Sequence, residues 1–161
     1  WNPAGFVAAA PAQEKWAGLT GRNPNIRHVT AAFDGFDAPE KSLDVALLHL
    51  VYHDLYWQSD EFKVPRTDPD AVIGRLFKAM KKGGIVGIVD HAGPAGDTRQ
   101  IVDTLHRISP ETVKADFVRA GFRLVGESAV LHVAGDDHTK NVFDPAIRGK
   151  TDRFILKFVK P

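Results

Sequence analysis

The chain has 161 residues, of which 43% are hydrophobic and 25% are charged, a composition typical of one soluble globular domain spanning residues 1–161. Its 21 basic and 20 acidic residues give a net charge of +1, which excludes the broad basic surface that nucleic acid or an anionic membrane requires, and no apolar run approaches the ~20 residues of a membrane span. The absence of cysteine excludes disulfides, thiolate nucleophiles and cysteine-ligated zinc, and it leaves the compartment open between the cytoplasm, as the default, and export.

The amino-terminal third predicts a helix, a strand and a turn. The helix covers Phe6–Leu19, with a break or late start at Pro11 because proline removes a backbone donor. A short strand follows at Ile26–Thr30, and the chain then turns at Phe33-Asp34-Gly35.

Two apolar segments predict the centre of a sheet. Leu43–Val51 is the most apolar stretch and is nearly continuous, which is typical of a strand buried on both faces of a parallel sheet. Asp68-Pro69 then begins a helix, since aspartate caps helix starts and proline suits the first helical position. Gly83-Gly84 is expected to end that helix, and Ile85–Val89 forms a second buried strand that stops at Asp90-His91.

The remaining elements complete an α/β order. A short helix is predicted at Ile101–Arg107, and Ser109-Pro110 begins another, with strands at Phe122–Val130 and Arg153–Val159. The residues of the second helix expected to face inward are Val113, Phe117, Val118 and Ala120. The long loop 134–151 can form a flap. Strands alternating with helices predict a Rossmann-like, mostly parallel sheet with helices on both faces and an antiparallel carboxy-terminal hairpin.

Three segments carry a resemblance to class I S-adenosylmethionine-dependent methyltransferases. Phe36–Val51 resembles the family's loop and fourth strand, Leu76–Asp90 resembles its next helix and fifth strand, and Glu111–Val125 resembles the following helix and sixth strand. Lys82 stands where the family usually has proline. The tail Asn141–Pro161 is similar to that of a group of predicted bacterial methyltransferases, whose further matches lie at residues 51–54, 89–91 and 104–108.

One departure from the family concerns the cofactor. The family's first two strands and its glycine-rich turn have no counterpart, and no G-x-G occurs in the sequence. The resemblance therefore implies an amino-terminally incomplete domain: the intact protein uses S-adenosylmethionine, and this chain binds it weakly or not at all. The strand that begins at Leu43 is left with an unpaired edge, which another copy of the chain or a complementing amino-terminal segment would fill.

The resemblance also assigns cofactor-binding residues. Asn2 stands where the family binds the ribose hydroxyls, although it is equally a turn residue. Phe33, Asp34 and Gly35 stand where the family holds the adenine, the alternative again being an ordinary turn. Leu50 and Val51 end the fourth strand and would adjoin the cofactor.

Candidate catalytic residues follow the two buried strands. Tyr52, His53 and Asp54 follow the first strand and His91 follows the second, and ligands of open α/β sheets bind at such carboxyl ends. His53 or His91 can act as a general base on a small-molecule acceptor, with Asp54 orienting His53 and Tyr52 shaping the pocket. A histidine that only bonds a loop carbonyl is the alternative for His53.

Other interpretations stay open. His106-Arg107 can add a third imidazole or an anion contact, or can cap a helix. His49 is expected to be a satisfied histidine beside the core. No metal ligand is assigned, but His49, His53, Asp54, Asp90 and His91 leave a metal-dependent hydrolase as an alternative function. A non-catalytic module that assembles through its sheet edge is the other alternative.

Overall fold

The computed structural model describes residues 10–62 and 64–161. The helices of these residues are α1 (Ala10–Arg22), α2 (Pro69–Ala79), α3 (Thr98–Leu105) and α4 (Pro110–Arg119). The strands are β1 (Leu43–His49), β2 (Met80–His91), β3 (Arg123–Ser128) and β4 (Arg153–Val159). Short 3-10 turns cover Phe33–Gly35 and His53–Leu55. No helix of the described ranges is long and apolar enough to cross a membrane.

Side-chain caps fix where the helices begin. The Asp68 carboxylate accepts hydrogen bonds from the backbone N–H groups of Asp70 and Ala71, and proline follows it. Ser109 caps α4 in the same way through the N–H of Glu111. Both predicted starts are confirmed. Asp97 caps α3, which therefore begins at Thr98 and not at Ile101 as predicted.

The sheet has the order β1-β2-β4-β3. β1 and β2 are parallel, with His49 beside Val89, and β4 pairs antiparallel with both β2 and β3. The described sheet is thus mixed, with the predicted parallel pair and the predicted carboxy-terminal antiparallel hairpin. The α/β, Rossmann-like fold class is confirmed, and within the described residues the two initial strands of such a sheet are not found.

The core lies between one face of this sheet and two helices. Val86 and Ile88 of β2 are fully buried on that face, next to Leu156 and Phe158 of β4. Ile73 of α2 and the buried residues Val113 and Phe117 of α4 pack against them. Phe158 and Phe117 stack with ring centroids 4.5 Å apart. Burial of these side chains, each worth about 1.5–3 kcal/mol, fixes the sheet beneath the helices.

The opposite face is open at β1. Val45 is 65% exposed and Leu47 is 67% exposed, so nothing in the described ranges covers them, and helices on both faces are not seen at this strand. The prediction that Leu43–Val51 is buried on both faces is therefore wrong for β1. Its outer edge is also unpaired among the described residues, as the missing neighbouring strands led us to expect.

Three further expectations are corrected. Ile26–Thr30 is a half-exposed segment and not the predicted strand, since only Thr30 within it has a β-bridge. Val118 is 57% exposed, since α4 buries Val113 and Phe117 and the next residue turns about 100° away from the core. The helix before the second strand ends at Ala79, ahead of the predicted glycine pair, because Met80 is already extended and pairs with Leu43.

Candidate functional site

The site lies where β1 and β2 end. After His49 the chain turns sharply at Leu50, whose φ of 52° is in the left-handed region and whose N–H donates to the carbonyl of Val89 at 2.8 Å. The 3-10 turn His53–Leu55 then places residues 52–54 beside the end of β2. The predicted convergence of the two strand ends is therefore present at the edge where open α/β sheets bind their ligands.

The Asp90 carboxylate holds the two strand ends together. It is fully buried and accepts hydrogen bonds from His53 Nδ1 at 2.7 Å, from the His53 N–H at 3.0 Å and from the His91 N–H at 2.8 Å. His53 and its hydrogen bonds hold the pKa of Asp90 below its ordinary value, against the effect of burial. From the sequence, Asp90 was expected only as a member of an alternative metal cluster. Its position at the end of a buried apolar strand was the signal for this larger role.

The contacts with Asp90 and Asp54 favour the protonated form of His53. Burial by itself lowers the pKa of His53, but the carboxylates of Asp90 and Asp54 and the hydrogen bond to Asp90 outweigh burial and raise the pKa to about 9. The ring is 3% exposed. Without a bound ion, His53 is therefore an imidazolium at neutral pH, paired with a buried carboxylate.

His91 is in the opposite state. Its ring centroid lies 5.9 Å from that of His53, and its Nδ1 contacts Thr151 Oγ1 at 2.8 Å. Burial, together with the positive charge on His53, lowers the pKa of His91 to about 4, although Asp90 acts to raise it. The two histidines thus share one site with their pKa values moved apart, a pattern common where proton transfer occurs.

Asp54 and His106 complete the polar cluster. Asp54 Oδ1 lies 3.4 Å from His53 Nε2 and 3.4 Å from His106 Nε2, yet it is buried and makes no hydrogen bond among the described residues. His106 follows α3 with a left-handed φ of 56°, and its ring lies edge-on to that of His53 at 4.6 Å. The structure therefore places a third imidazole here, one of the possibilities given for His106.

Arg107 has a structural role, and not the anion contact that was one of the possibilities for His106-Arg107. Its side chain is fully buried, and its guanidinium donates to Asp136 at 2.9 Å, to the carbonyl of Lys140 at 2.9 Å and to the carbonyl of Ala92 at 3.0 Å. These bonds fasten the loop 134–151 to the end of β2. Val142, which is 4% exposed, packs in the same loop, so the loop is anchored to the domain at these points.

Backbone bonds join the two chain segments behind the histidines. Ala92 and Ile108 form a parallel bridge, in which the Ile108 N–H donates to the carbonyl of His91 at 3.1 Å and the Gly93 N–H donates to the carbonyl of Ile108 at 2.9 Å. A Cβ at Gly93 would lie 2.9 Å from the Arg107 Cβ, so only glycine allows this approach.

Tyr52 lies in the core. It is fully buried, its ring packs 5.7 Å from Phe117, and its hydroxyl donates to Asp116 of α4 at 2.6 Å. The Tyr56 hydroxyl donates to the same Asp116 oxygen. Burial raises the pKa of Tyr52 well above its ordinary value. Tyr52 therefore ties the turn after β1 to α4.

The residues assigned to the cofactor are brought together in part. Phe33 is 6% exposed and lines an apolar cavity of about 170 Å³ with Val51, Leu48 and Leu55. Asp34 and Gly35 are exposed in the adjoining 3-10 turn, and Leu50 is half-buried. Asn2 lies outside the described residues. His49 is exposed on β1, so its prediction as a histidine beside the core is wrong, because its face of the sheet is the open one.

Comparison with solved structures identifies the fold. The chain superposes on the [4+2]-cyclase SpnF with a TM-score of 0.60 at 17% identity, covering 94% of this chain and 62% of that one. It matches an S-adenosylmethionine-dependent methyltransferase from Aquifex aeolicus with a TM-score of 0.59 at 14% identity, covering 93% and 62%. It also matches the Burkholderia thailandensis 1,6-didemethyltoxoflavin-N1-methyltransferase, solved with 1,6-didemethyltoxoflavin and S-adenosylhomocysteine bound, with a TM-score of 0.57 at 15% identity, covering 91% and 56%.

These matches concern structure and not sequence. No protein-family model matches the chain. No curated protein sequence matches it. The chain spans less than two thirds of the length of each of these three structures, and it has the fold that they share.

Proposed function

We propose that this chain, which has the fold of S-adenosylmethionine-dependent methyltransferases, forms the acceptor-binding part of such an enzyme and that its acceptor is a small molecule. The observation that carries the proposal is the buried His53–Asp90 pair beside the neutral His91 at the carboxyl ends of β1 and β2. The Burkholderia enzyme, with a small heterocycle and S-adenosylhomocysteine bound, supports this choice of substrate class.

The described residues fit one end of the cofactor. The apolar cavity lined by Phe33 and Val51 suits a flat ring such as adenine, and Asp34 follows Phe33 in the same 3-10 turn. The described residues form no equivalent cradle for the methionine end, and the sequence contains no G-x-G turn. When bound, the cofactor supplies an electrophilic methyl group on a sulfonium sulfur. We expect this chain alone to bind S-adenosylhomocysteine weakly, and micromolar affinity in isothermal titration would contradict that expectation.

The chemistry proposed for the chain is alignment and proton transfer. The acceptor oxygen or nitrogen forms a bond to the methyl carbon as the sulfur–carbon bond breaks, and the electron pair of that bond stays on sulfur. Holding the acceptor in line supplies much of the rate. His91 is uncharged at neutral pH and can therefore take the proton that the acceptor loses, as a weak base because its pKa is lowered. The imidazolium of His53 keeps the buried charge of Asp90 compensated.

A direct experiment measures S-adenosylhomocysteine release. The protein is incubated with S-adenosylmethionine and a panel of small phenols, alcohols and amines, both as this chain and with the coding sequence upstream of Trp1 added. We expect release with the extended form and a decrease of more than tenfold in His91→Ala, with Lys81→Ala, at an exposed surface ion pair, as the control. Failure of the extended form on a broad panel would contradict the proposal.

The open edge of β1 leads to a proposal about assembly. Exposed valine and leucine side chains on an unpaired strand favour pairing with another chain. We therefore expect a second copy, or a complementing amino-terminal segment, to cover Val45 and Leu47. Native mass spectrometry tests this, and a stable monomer of 17.7 kDa with no added segment would contradict it.

A non-catalytic assembly module and a metal-dependent hydrolase gain no support from the structural neighbours. SpnF, a cyclase with this fold, does show that the fold hosts chemistry other than methyl transfer. An assembled protein that still fails to bind S-adenosylhomocysteine would favour the non-catalytic module.

A further inference from the structure

We propose that His53, Asp54 and His106 form a binding site for a divalent transition-metal ion, with Zn²⁺ as the first candidate. Each side chain offers one ligand atom, and the three atoms lie within 4.8 Å of one another. Imidazole nitrogen with carboxylate oxygen is a ligand set that suits zinc and neighbouring first-row metals. The proposal does not depend on methyl transfer.

The distances suit a small ion. In a tetrahedral zinc site with bonds of about 2.0–2.1 Å, two ligand atoms are about 3.3–3.4 Å apart. Asp54 Oδ1 lies 3.4 Å from His53 Nε2 and 3.4 Å from His106 Nε2. These distances are long for hydrogen bonds, but they match the distance between two ligand atoms in a tetrahedral zinc site. A small movement of the two imidazoles toward the ion would place three ligand atoms at corners of its tetrahedron.

Asp54 supplies an independent observation. Its side chain is 6% exposed, and Oδ1 is buried without a hydrogen bond from any described group. An unsatisfied buried carboxylate oxygen is costly, and structures keep such atoms where a ligand satisfies them. Its direction toward both Nε2 atoms identifies where that ligand would lie.

The surroundings hold the imidazoles in place. Asp90 accepts from Nδ1 of His53, which directs Nε2 toward Asp54 in the way that carboxylate–histidine–metal triads orient their ligand. The His106 ring is enclosed by Trp57 and Phe143, at centroid distances of 5.3 Å and 5.0 Å. His91 does not belong to the group of described ligand atoms that lie within 4.8 Å of one another, and its Nδ1 contacts Thr151 Oγ1.

Three protein ligands leave a fourth position open on a tetrahedral ion. In catalytic sites of that kind the open position takes water or a substrate oxygen. We therefore expect the ion to hold water or another oxygen donor at the fourth position.

The experiment measures metal binding without cofactor or acceptor. The whole chain is treated with EDTA, dialysed and titrated with Zn²⁺, and Co²⁺ is used as a spectroscopic probe. We expect one equivalent of tightly bound Zn²⁺ and the intense visible absorption of tetrahedral cobalt. Asp54→Asn, which keeps the shape of the side chain, and His106→Ala should each weaken Zn²⁺ binding by about 100-fold or more, since even outer partners are worth about 10–100-fold.

The matched control is His49→Ala, which removes an exposed histidine from β1 and should leave the affinity unchanged. Asp90→Asn should weaken binding by about 10–100-fold through the orientation of His53. Circular dichroism checks that each variant is folded, and the cobalt spectrum of the unaltered chain remains decisive where a variant does not fold. Failure of the unaltered chain to bind Zn²⁺ stoichiometrically, or equal weakening in His49→Ala, would overturn the site. Either result leaves the assay of methyl transfer untouched.

Discussion

Replacement of Arg107 by alanine tests whether the buried guanidinium fastens the carboxy-terminal loop to the site. The substitution removes bonds to Asp136, Lys140 and Ala92, and it leaves the Asp136 carboxylate buried without its cation. Breaking a buried ion pair from one side costs about 3–5 kcal/mol. Asp136 keeps backbone donors at 2.7 Å and 3.2 Å, so we expect the lower value, about 3 kcal/mol.

That loss is large against the total stability of a domain, which is about 5–15 kcal/mol. For a chain of this size it corresponds to a decrease in Tm of about 6–12 °C. Urea unfolding followed by circular dichroism measures the free energy of unfolding directly. The matched control is Lys81→Ala, which breaks the exposed pair with Asp44 and should cost less than about 1 kcal/mol. Equal losses for Arg107→Ala and Lys81→Ala would refute the reasoning.

Three further predictions concern the site and the open sheet face. In EDTA-treated protein, NMR titration should give pKa values of about 9 for His53 and about 4 for His91. The ordinary pKa of histidine is 6.5, so the stabilisation from protonated His53 is lost as pH rises from about 6.5 to 9. The stabilisation from neutral His91 is lost as pH falls from about 6.5 to 4. A Tm that did not fall on both sides of this range would contradict these assignments. Leu47→Lys should reduce self-association in sedimentation velocity without lowering Tm, and unchanged association would exclude this face as the interface. Gly93→Ala should destabilise the fold by about 1–3 kcal/mol through steric overlap, whereas Gly74→Ala, in open space on α2, should be neutral or stabilising in the same urea assay.

The sequence predicts the central strands and the closing hairpin well. Leu43–Val51 and Ile85–Val89 are short apolar runs, which predict strands, and their order with the intervening helix requires a parallel pair. It does not predict the exposure of Val45 and Leu47. Apolar character shows that a face needs covering, but which element covers it depends on the rest of the fold. For the same reason the segment Ile26–Thr30 has strand character in its sequence but pairs only through a β-bridge at Thr30.

The site is predicted in part. The rule that parallel strands end at one edge brings His53 and His91 together before any coordinates are known. It does not predict how His106 joins them, because that contact arises from a left-handed turn after α3. Nor does it predict the burial of Arg107, whose partner Asp136 lies 29 residues further along the chain. Contacts between distant loops carry no local sequence pattern.

The bridge between Ala92 and Ile108 has a consequence for selectivity. It joins the segments that carry His91 and His106 through backbone hydrogen bonds, so we expect a molecule bound there to order little of the protein. On the proposed function, discrimination among acceptors then depends on Trp57 and Phe143, whose rings flank His106. Under that proposal, exchange of those two rings changes the substrate range and leaves His91 in place.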